Sequence, residues 1–297
     1  MNGRQGDRVP SVMTRIRPWL RRMLVRMPVS DRLFIQLMFW NKNRRWLNLD
    51  NPRTLMEKIN WLRLNHDFRR FAPLADKYAV REHVGKTIGQ QYLNKIYGEY
   101  QDAEEILYTD LPERFVLKAT HGSEMNYFCW DKRTEDLNQL RQICRSWLLQ
   151  NFYWEARDPV YLDITPRIIC EAMLSESPVN SIVDYKFFCY DGNPMCIQVD
   201  FDRHIAHKQN FYDLAWRLQP YRMSFPPHPE PVPKPATLEE MIQVAKLLSA
   251  GLPFVRIDLY SVRDRVLFGE YTFIPSSGYP WIRYTDDLAL GQWLKVN

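Results

Sequence analysis

Apolar and polar residues alternate along two neighbouring stretches near the C-terminus, residues 255–260 and 267–273. This period of two is typical of half-buried strands, and Arg263, Asp264 and Arg265 between them suit a three-residue turn. The two stretches therefore predict one antiparallel hairpin. With Asp264 at the tip, the predicted register pairs Val262 with Val266, Tyr260 with Phe268, Asp258 with Glu270, and Arg256 with Thr272.

The opposed carboxylates of Asp258 and Glu270 predict a metal site. Directly opposed side chains have Cβ atoms about 5 Å apart, and two like charges there repel by roughly 3 kcal/mol at an effective dielectric constant of about 20. A cation between them relieves this repulsion, and oxygen-only ligands suit Mg²⁺. Two alternatives stay open. Arg256 could neutralise the carboxylates as a surface cluster, and a two-residue turn would put them on opposite faces of the sheet.

Helical and strand patterns alternate through the rest of the chain. Thr54 and Glu57 form a capping box before an apolar stripe, which predicts a helix ending near Asn65, and a second helix is expected near Asp76. Short apolar runs predict strands at residues 115–119, 127–130, 167–171, 185–190 and 195–199, and a helix at 137–151. The mixture of hairpins and packed helices predicts an α+β fold.

Turn and breaker residues complete this pattern. Residues 191–194, Asp-Gly-Asn-Pro, predict a tight turn that joins two of the strands into a hairpin. The proline-rich stretch 226–235 must be an extended surface loop, because proline lacks the amide donor and fixes φ. Thr237 and Glu240 predict a capped helix that ends at Gly251.

Length and charge suggest two lobes preceded by a basic arm. A chain of 297 residues exceeds the common size of one domain. Residues 1–53 hold twelve lysines and arginines against three aspartates, a local charge of +9 within a total of +5, which leaves −4 for the remainder. Residues 16–27 place an apolar helical stripe beside arginines, which suits an anionic membrane surface or an acidic polymer. The alternative is a terminal helix packed on the body with its arginines in solvent.

The sequence also indicates where the protein works. No stretch approaches the roughly 18 apolar residues of a transmembrane helix, and the arginine-rich start lacks the apolar core of a signal peptide. The five cysteines show no metal-type spacing and are odd in number, which indicates reduced thiols. We therefore expect a cytoplasmic protein.

One segment carries residues suited to phosphate binding. Lys118 lies on a predicted strand that runs into His121, Gly122 and Ser123, a turn whose amides could approach phosphate oxygens. Taken alone, such a lysine is more often a solvated residue of an edge strand. Glu171 ends another apolar strand, where it could accept hydrogen bonds or simply lie at the surface.

A second segment, residues 202–210, is rich in cationic side chains. Arg203, His204, His207 and Lys208 could grip an anionic substrate. The spacing of the two histidines could suggest zinc, but no third ligand is evident and an anion-binding pair is favoured. The alternative is a solvated loop.

Six segments, taken in order, resemble the TupA-like (teichuronopeptide-biosynthesis) branch of the ATP-grasp superfamily. They are residues 51–62, 76–81, 115–123, 184–187, 207–213 and 268–278. The resemblance implies an ATP-grasp fold, in which two α+β lobes sandwich ATP, with a basic helical N-terminal extension. We expect a basic helical arm at 1–50, a helical region at 51–110, a small lobe at 111–170 and a large lobe with the metal site at 171–297.

The resemblance also implies roles for individual residues. The implied ATP contacts are Lys77, Lys118, His121, Gly122, Ser123, Glu171, Met173 and Lys186. The implied catalytic cations, at the γ-phosphate and the acyl phosphate, are Lys118, Lys186 and Arg203. The implied substrate contacts are Arg203, His207, Lys208, Asn210, Ser276, Ser277 and Gly278. The implied Mg²⁺ ligands are Asp258, Glu270 and Thr272.

Two positions depart from the family pattern. Thr272 stands where asparagine is frequent, and its hydroxyl is a weaker metal ligand. Glu124 follows the turn at residues 121–123 where a small residue is expected, and its charge beside ATP would be unfavourable unless it points away.

The activity implied by the resemblance is that of a Mg²⁺- and ATP-dependent ligase. It would activate a carboxylate as an acyl phosphate, which an amine attacks to give an amide, ADP and phosphate. The implied substrates are a uronic acid of a bacterial surface polysaccharide and an amino acid, and the basic arm would suit an anionic polymer at the inner membrane face. A sugar kinase and a non-catalytic nucleotide-binding scaffold stay open as alternatives. Nucleic-acid binding is not expected, because the basic arm lacks interleaved aromatic motifs.

Overall fold

The computed structural model describes residues 29–177, 182–202, 206–230 and 232–296. Most of the basic arm, together with Arg203 and His204, lies outside these residues. The α-helices are α1 (Asp31–Asn43), α2 (Leu55–Asn65), α3 (Ala72–Ala75), α4 (Val80–Thr87), α5 (Leu137–Leu148), α6 (Tyr153–Ala156), α7 (Leu238–Ser249) and α8 (Tyr284–Gly291). The strands are β1 (Ile96–Tyr100), β2 (Phe115–Ala119), β3 (Asn126–Cys129), β4 (Ile168–Ala172), β5 (Asp184–Tyr190), β6 (Asn193–Phe201), β7 (Lys208–Tyr212), β8 (Leu218–Gln219), β9 (Phe254–Val262) and β10 (Arg265–Thr272).

The smaller sheet has the strand order β1-β4-β2-β3, and each neighbouring pair is antiparallel. Helix α5 packs against β2. Their apolar side chains form a separate core that includes Phe115, Leu117, Leu140 and Cys170. Because β1 pairs with β4, this lobe also uses residues before position 111.

The larger sheet has the order β10-β9-β5-β6-β7-β8 and is also antiparallel. Helix α7 packs against β5, β6 and β9. Buried apolar residues of α1 and α2, such as Phe34 and Ile59, belong to the same core as Phe187 and Ile257. The α+β prediction is confirmed, and the N-terminal helices are part of the larger lobe.

Most predicted helices and strands form within a few residues of their expected positions. The capping box before α2 is present, since Thr54 Oγ1 accepts from the Glu57 amide and the Glu57 carboxylate accepts from the Thr54 amide. The cap predicted for α7 is wrong. Thr237 makes no side-chain cap there, and its hydroxyl instead donates to Ser261 Oγ at 2.8 Å.

The hairpin of β9 and β10 forms with a different turn from the predicted one. Arg263 and Asp264 both have positive φ, 51° and 57°, and they make a two-residue turn. The predicted pairs near the turn are therefore wrong, because Tyr260 faces Leu267 and Leu259 faces Phe268. A register shift between Phe268 and Glu270 then places Glu270 opposite Asp258 and Thr272 opposite Arg256, as predicted.

Two further expectations can be compared with the structure. All five cysteines are free and buried, which agrees with the predicted reduced thiols. Over the described ranges, none of the helices has both the length and the apolar character required to cross a bilayer.

Candidate functional site

The bulge at Gly269 positions the two acidic side chains of the hairpin. An extra residue in one strand of an antiparallel pair changes the register by one and bends the strand. A Cβ atom at position 269 would lie 2.9 Å from the Asp258 carbonyl oxygen and 2.9 Å from Tyr260 Cε2. The close approach therefore requires glycine, and it turns Glu270 onto the face that carries Asp258.

Arg256 contacts all three predicted metal ligands. Its guanidinium donates to the Asp258 carboxylate through Nε and Nη2, each at 2.7 Å. Its Nη2 also donates to Thr272 Oγ1 at 3.1 Å and lies 3.7 Å from Glu270 Oε1. The alternative in which Arg256 neutralises the carboxylates is therefore correct in its charge pairing. The expected surface location is wrong, because Arg256 is buried.

Lys186 extends this cluster from β5, where it pairs with Asp258 across the sheet. Its Nζ lies 2.6 Å from Asp258 Oδ2, 3.7 Å from Asp184 Oδ2 and 3.9 Å from Asp200 Oδ2. Burial lowers the pKa of Lys186, but Asp184 and Asp258 outweigh it and hold the pKa above its ordinary value. Lys186 is therefore a permanent cation enclosed by carboxylates.

Asp258 is ionised despite being buried. Burial raises its pKa, whereas Arg256 and then Lys186 lower it by a larger amount, so the pKa lies below its ordinary value. An uncompensated carboxylate would be costly at this depth. The ion pairs therefore keep Asp258 charged.

The smaller lobe contributes a second charged pair, formed by Lys118 on β2 and Glu171 on β4. Lys118 Nζ donates to Glu171 Oε2 at 2.7 Å. Asn94 Nδ2 lies 3.4 Å from the same oxygen and donates to the Ala172 carbonyl at 2.9 Å. Burial raises the pKa of Glu171, but the Lys118 charge and hydrogen bond outweigh it, so the pKa is lowered. Met173 follows this strand and is half-buried.

Lys77 lies where the two lobes meet. Its ammonium group donates to the Gly122 carbonyl, and its backbone amide donates to the Thr120 carbonyl at 3.3 Å. Burial lowers the pKa of Lys77, Glu270 of the larger lobe raises it, and Lys118 of the smaller lobe lowers it. Lys77 is therefore close enough to charged residues of both lobes for their charges to affect its pKa.

The turn at residues 121–123 is only partly open to a ligand. His121 is 1% exposed and its Nε2 lies 2.9 Å from the Trp147 carbonyl oxygen, so this edge of the ring is already engaged within the smaller lobe. Burial lowers the pKa of His121, which favours the neutral imidazole. Ser123 is half-buried, and Glu124 is exposed with φ of 65°. The Glu124 side chain is therefore exposed to solvent, where its charge is hydrated.

Three consecutive residues with positive φ form the predicted substrate turn: Ser276 at 50°, Ser277 at 59° and Gly278 at 77°. Helix α2 holds this turn, because Arg63 Nη1 donates to the Ser277 carbonyl at 2.8 Å and Asn60 Nδ2 donates to the Gly278 carbonyl at 2.7 Å. Sequence analysis did not identify Asn60 or Arg63. Their position on the buried face of the helix, next to Ile59 and Leu62, is the signal that could have indicated them.

The remaining predicted substrate residues lie at or just before β7. His207 and Lys208 are half-buried, whereas Asn210 is buried and its Oδ1 accepts from the His228 amide at 3.1 Å. Arg203 lies outside the described residues. Sequence analysis also overlooked Asp184 and Asp200, which the strand register brings to Lys186.

The donor set at Asp258, Glu270 and Thr272 fits Mg²⁺ in kind, because all three offer oxygen ligands. The Arg256 guanidinium already places positive charge among them, so Asp258 would have to release a hydrogen bond to bind an ion. Within the described residues no group of three or more His, Cys, Asp or Glu side chains could hold a metal. Two carboxylates suit an ion that arrives with phosphate oxygens and water, rather than one held by the protein alone.

Comparisons with known proteins agree with the resemblance in the sequence. The model of the TupA-like ATP-grasp family matches residues 57–295. No curated protein gives a significant match.

Several solved structures are similar to this chain. D-alanine–D-alanine ligase from Bacillus anthracis complexed with ATP has a TM-score of 0.45 and 13% identity, covering 83% of each chain. D-cycloserine synthetase DcsG has a TM-score of 0.41 and 11% identity, over 75% of this chain and 69% of that one. ATP-grasp ligase PsnB, complexed with a precursor variant, Mg and ADP, has a TM-score of 0.40 and 11% identity; the match covers 76% of this chain and 61% of PsnB. Because the family model spans most of the sequence, the chain belongs to the TupA-like ATP-grasp family.

Proposed function

We propose that the protein is an ATP-dependent ligase that joins a carboxylate to an amine through an acyl phosphate, with release of ADP and phosphate. Family membership supports this proposal. The observation that carries it is the position of Lys77, which donates to the Gly122 carbonyl of the smaller lobe and lies near enough to Lys118 and to Glu270 of the larger lobe for their charges to act on its pKa. A polyphosphate bound beside Lys77 could contact both lysines and a Mg²⁺ ion held by the hairpin.

In this proposal ATP lies between the lobes. Lys77 and Lys118 bind its phosphates, and the amides of Gly122 and Ser123 lie over them. Glu171 and Met173, at the end of β4, contact the adenine and ribose. Lys118 would then exchange part of its ion pair with Glu171 for contacts with the phosphates.

Asp258, Glu270 and Thr272 would hold Mg²⁺, which neutralises phosphate charge when bound. Lys186 lies beside Asp258 and stays cationic, so it can orient the substrate carboxylate toward the γ-phosphate and stabilise the charge that develops there. Arg203 is proposed for the same task. No covalent bond to the protein is required, because alignment and charge neutralisation supply the catalysis.

The proposed substrates are a uronic acid of a bacterial surface polysaccharide and an amino acid. The family match supports this choice at the level of the family. Lys208, Asn210 and the turn at residues 276–278 would bind the uronic acid, and His207 would contact the amino acid. The reaction would take place in the cytoplasm, and the basic arm at residues 1–50 would attract the enzyme to an anionic polymer or to the inner membrane face.

The proposal is tested by measuring ADP and inorganic phosphate together, with Mg·ATP and a panel of uronic acids with and without amino acids. Equimolar ADP and phosphate that require both co-substrates are expected. ADP without phosphate, dependent on the sugar alone, would indicate a kinase instead. ATP binding without turnover across the panel would point to a nucleotide-binding scaffold.

The role of the arm has a separate test. Removal of residues 1–26 should weaken sedimentation with anionic vesicles or acidic polysaccharide, while turnover of a small uronic acid is retained. Equal sedimentation of the full and shortened chains would remove the arm from the proposal.

A further inference from the structure

Asp200 and His207 form a carboxylate–imidazole pair that has no assigned role as a unit. Asp200 lies on β6, and His207 directly precedes β7, the neighbouring strand. His207 Nε2 is 3.6 Å from Asp200 Oδ1. Asp200 is 3% exposed, whereas the His207 side chain is 16% exposed. The carboxylate is therefore enclosed and the imidazole is accessible to a ligand.

The structure holds Asp200 firmly in one position. Gln198 Nε2 and Gln209 Nε2 each donate to its Oδ1 at 3.0 Å, and both glutamines are buried. Burial raises the pKa of Asp200, but the His207 imidazole beside it and the charge of Lys186 outweigh burial and hold the pKa well below its ordinary value. Asp200 is thus a fixed carboxylate at neutral pH.

His207 is also fixed in orientation. Its ring stacks on Phe225 with centroids 3.5 Å apart and an interplanar angle of 24°. Its buried Nε2 has no hydrogen-bond partner among the described residues, and Asp200 lies just beyond hydrogen-bond distance. A base oriented by a carboxylate is the arrangement that proton-abstracting sites require, and such contacts are often long before substrate binds.

Lys186 connects this pair to the predicted reaction centre. Its Nζ lies 3.9 Å from Asp200 Oδ2 and 2.6 Å from Asp258 Oδ2. The pair is therefore separated by one lysine side chain from the carboxylate proposed to hold Mg²⁺. A co-substrate beside His207 would lie next to the site where the acyl phosphate is proposed to form.

We infer that Asp200 and His207 form the amine site, in which His207 is the general base for a primary amine and Asp200 positions its ring. This inference rests on the proposed ligase function. An amine reaches the site as an ammonium ion, which the adjacent carboxylate of Asp200 attracts, and it must lose a proton before it can attack.

His207 takes one proton from the ammonium ion, and Asp200 stabilises the resulting imidazolium ion. The freed nitrogen lone pair forms the C–N bond with the acyl carbon, and the C–O bond to phosphate breaks with its electron pair going to the phosphate. The second proton leaves the nitrogen for the departing phosphate, and His207 returns its proton to solvent.

Hydroxylamine provides the test, because it is a neutral nucleophile near pH 7 and attacks an acyl phosphate without a protein base. The His207→Asn variant, supplied with Mg·ATP and the best uronic acid of the panel, should form the amide with an amino acid about 100-fold more slowly or worse. Hydroxamate formation should stay within about two- to three-fold of the wild type, since a base is not required for this step. A parallel loss of both products would overturn the inference.

Two further variants sharpen this test. Asp200→Asn should show the same selective loss of amide, with a fall in kcat rather than a rise in KM for the uronic acid. His228→Asn, at a histidine on the adjacent loop, should leave both products at wild-type rates. Wild-type protein that forms neither amide nor hydroxamate would contradict the ligase function itself. If the wild type is active and His207→Asn forms the amide at the wild-type rate, only the assignment of the amine site would be contradicted.

Discussion

At the scale of single residues, Arg256 explains how two carboxylates and a hydroxyl can share one place without a metal. The guanidinium pairs with Asp258 through two nitrogens at 2.7 Å and lies 3.7 Å from Glu270. Repulsion between the carboxylates, which motivated the metal prediction, is therefore already offset in the protein. Mg²⁺ would have to compete with Arg256 for Asp258, whereas the Glu270 side chain is 36% exposed and more easily reached.

Because Asp258 and Glu270 differ in burial and pairing, their variants should differ in stability. Glu270→Gln should change the free energy of unfolding by no more than about 0.5 kcal/mol, because the side chain is partly in solvent, yet it should abolish Mg²⁺-dependent ADP formation. Asp258→Asn should cost about 3–5 kcal/mol, because it leaves Arg256 and Lys186 buried without their main partner. Urea unfolding and ADP release measure the two effects. Full turnover by Glu270→Gln would show that this residue is not a Mg²⁺ ligand.

Lys77 offers a prediction about nucleotide binding. Hydrogen bonds to charged groups contribute about 1.5–3 kcal/mol, so Lys77→Met should weaken ATP binding by roughly ten- to a hundred-fold. Calorimetric titration with ATP and Mg²⁺ measures the change.

The matched control is Lys86→Met, at an exposed lysine of α4 that pairs with Glu82. Its ATP affinity should equal that of the wild type. Equal affinities in all three proteins would show that Lys77 does not contact the nucleotide.

At the scale of elements, the hairpin of β9 and β10 depends on a turn and a bulge that compensate each other. The two-residue turn alone would have set Glu270 on the face opposite to Asp258, which was one of the alternatives considered from the sequence. The bulge at Gly269 adds the residue that restores the predicted pairing. The face that carries the proposed Mg²⁺ ligands therefore depends on a glycine, which has no side chain to contribute to the site.

Gly269→Val should disturb this face. The added side chain would meet the Asp258 carbonyl and Tyr260, and overpacking of this kind costs about 1–3 kcal/mol. We expect a lower thermal unfolding temperature together with loss of Mg²⁺-dependent turnover. Wild-type values for both quantities would mean that the bulge does not position Glu270.

The same hairpin shows what could be predicted from the sequence. Alternation of apolar and polar residues identified both strands, and the pairing of Asp258 with Glu270 was correct. The argument for that pairing was incomplete. The turn is one residue shorter than predicted, and the bulge adds one residue, so the two changes in register cancel at Glu270. Neither change can be recognised in the hydrophobic pattern. For Thr237 the helix was predicted correctly, but local pattern could not anticipate that its hydroxyl bonds to Ser261 of a distant strand.

At the scale of the whole molecule, long-range pairing assembles the candidate site. Asp184 and Lys186 lie on β5 and Asp200 lies on β6, the next strand in sequence, whereas Asp258 comes from β9, which is distant in sequence but pairs with β5. The family resemblance identified Lys186 and Asp258, but it did not indicate the other two aspartates. Both lie one residue outside the predicted strands at 185–190 and 195–199, so the apolar pattern that defined those strands did not include them.

The arrangement of the two lobes also determines which chemistry is available. Lys118 and Glu171 lie in the smaller lobe, whereas Asp258 and Glu270 lie in the larger one. Charged residues of both lobes, among them Glu270 and Lys118, act on the pKa of Lys77. A phosphate chain bound between the lobes would meet cations from the smaller lobe and the proposed Mg²⁺ ligands of the larger one. Transfer of the γ-phosphoryl group to a carboxylate is the central step of the proposed function.

The most direct test of that step follows oxygen from the carboxylate into phosphate. A uronic acid labelled with ¹⁸O in its carboxylate is incubated with the protein, Mg·ATP and an amino acid, and the released phosphate is analysed by mass spectrometry. An acyl phosphate intermediate predicts that each phosphate released with ADP carries a single labelled oxygen from the substrate. Unlabelled phosphate released during amide formation would contradict the account.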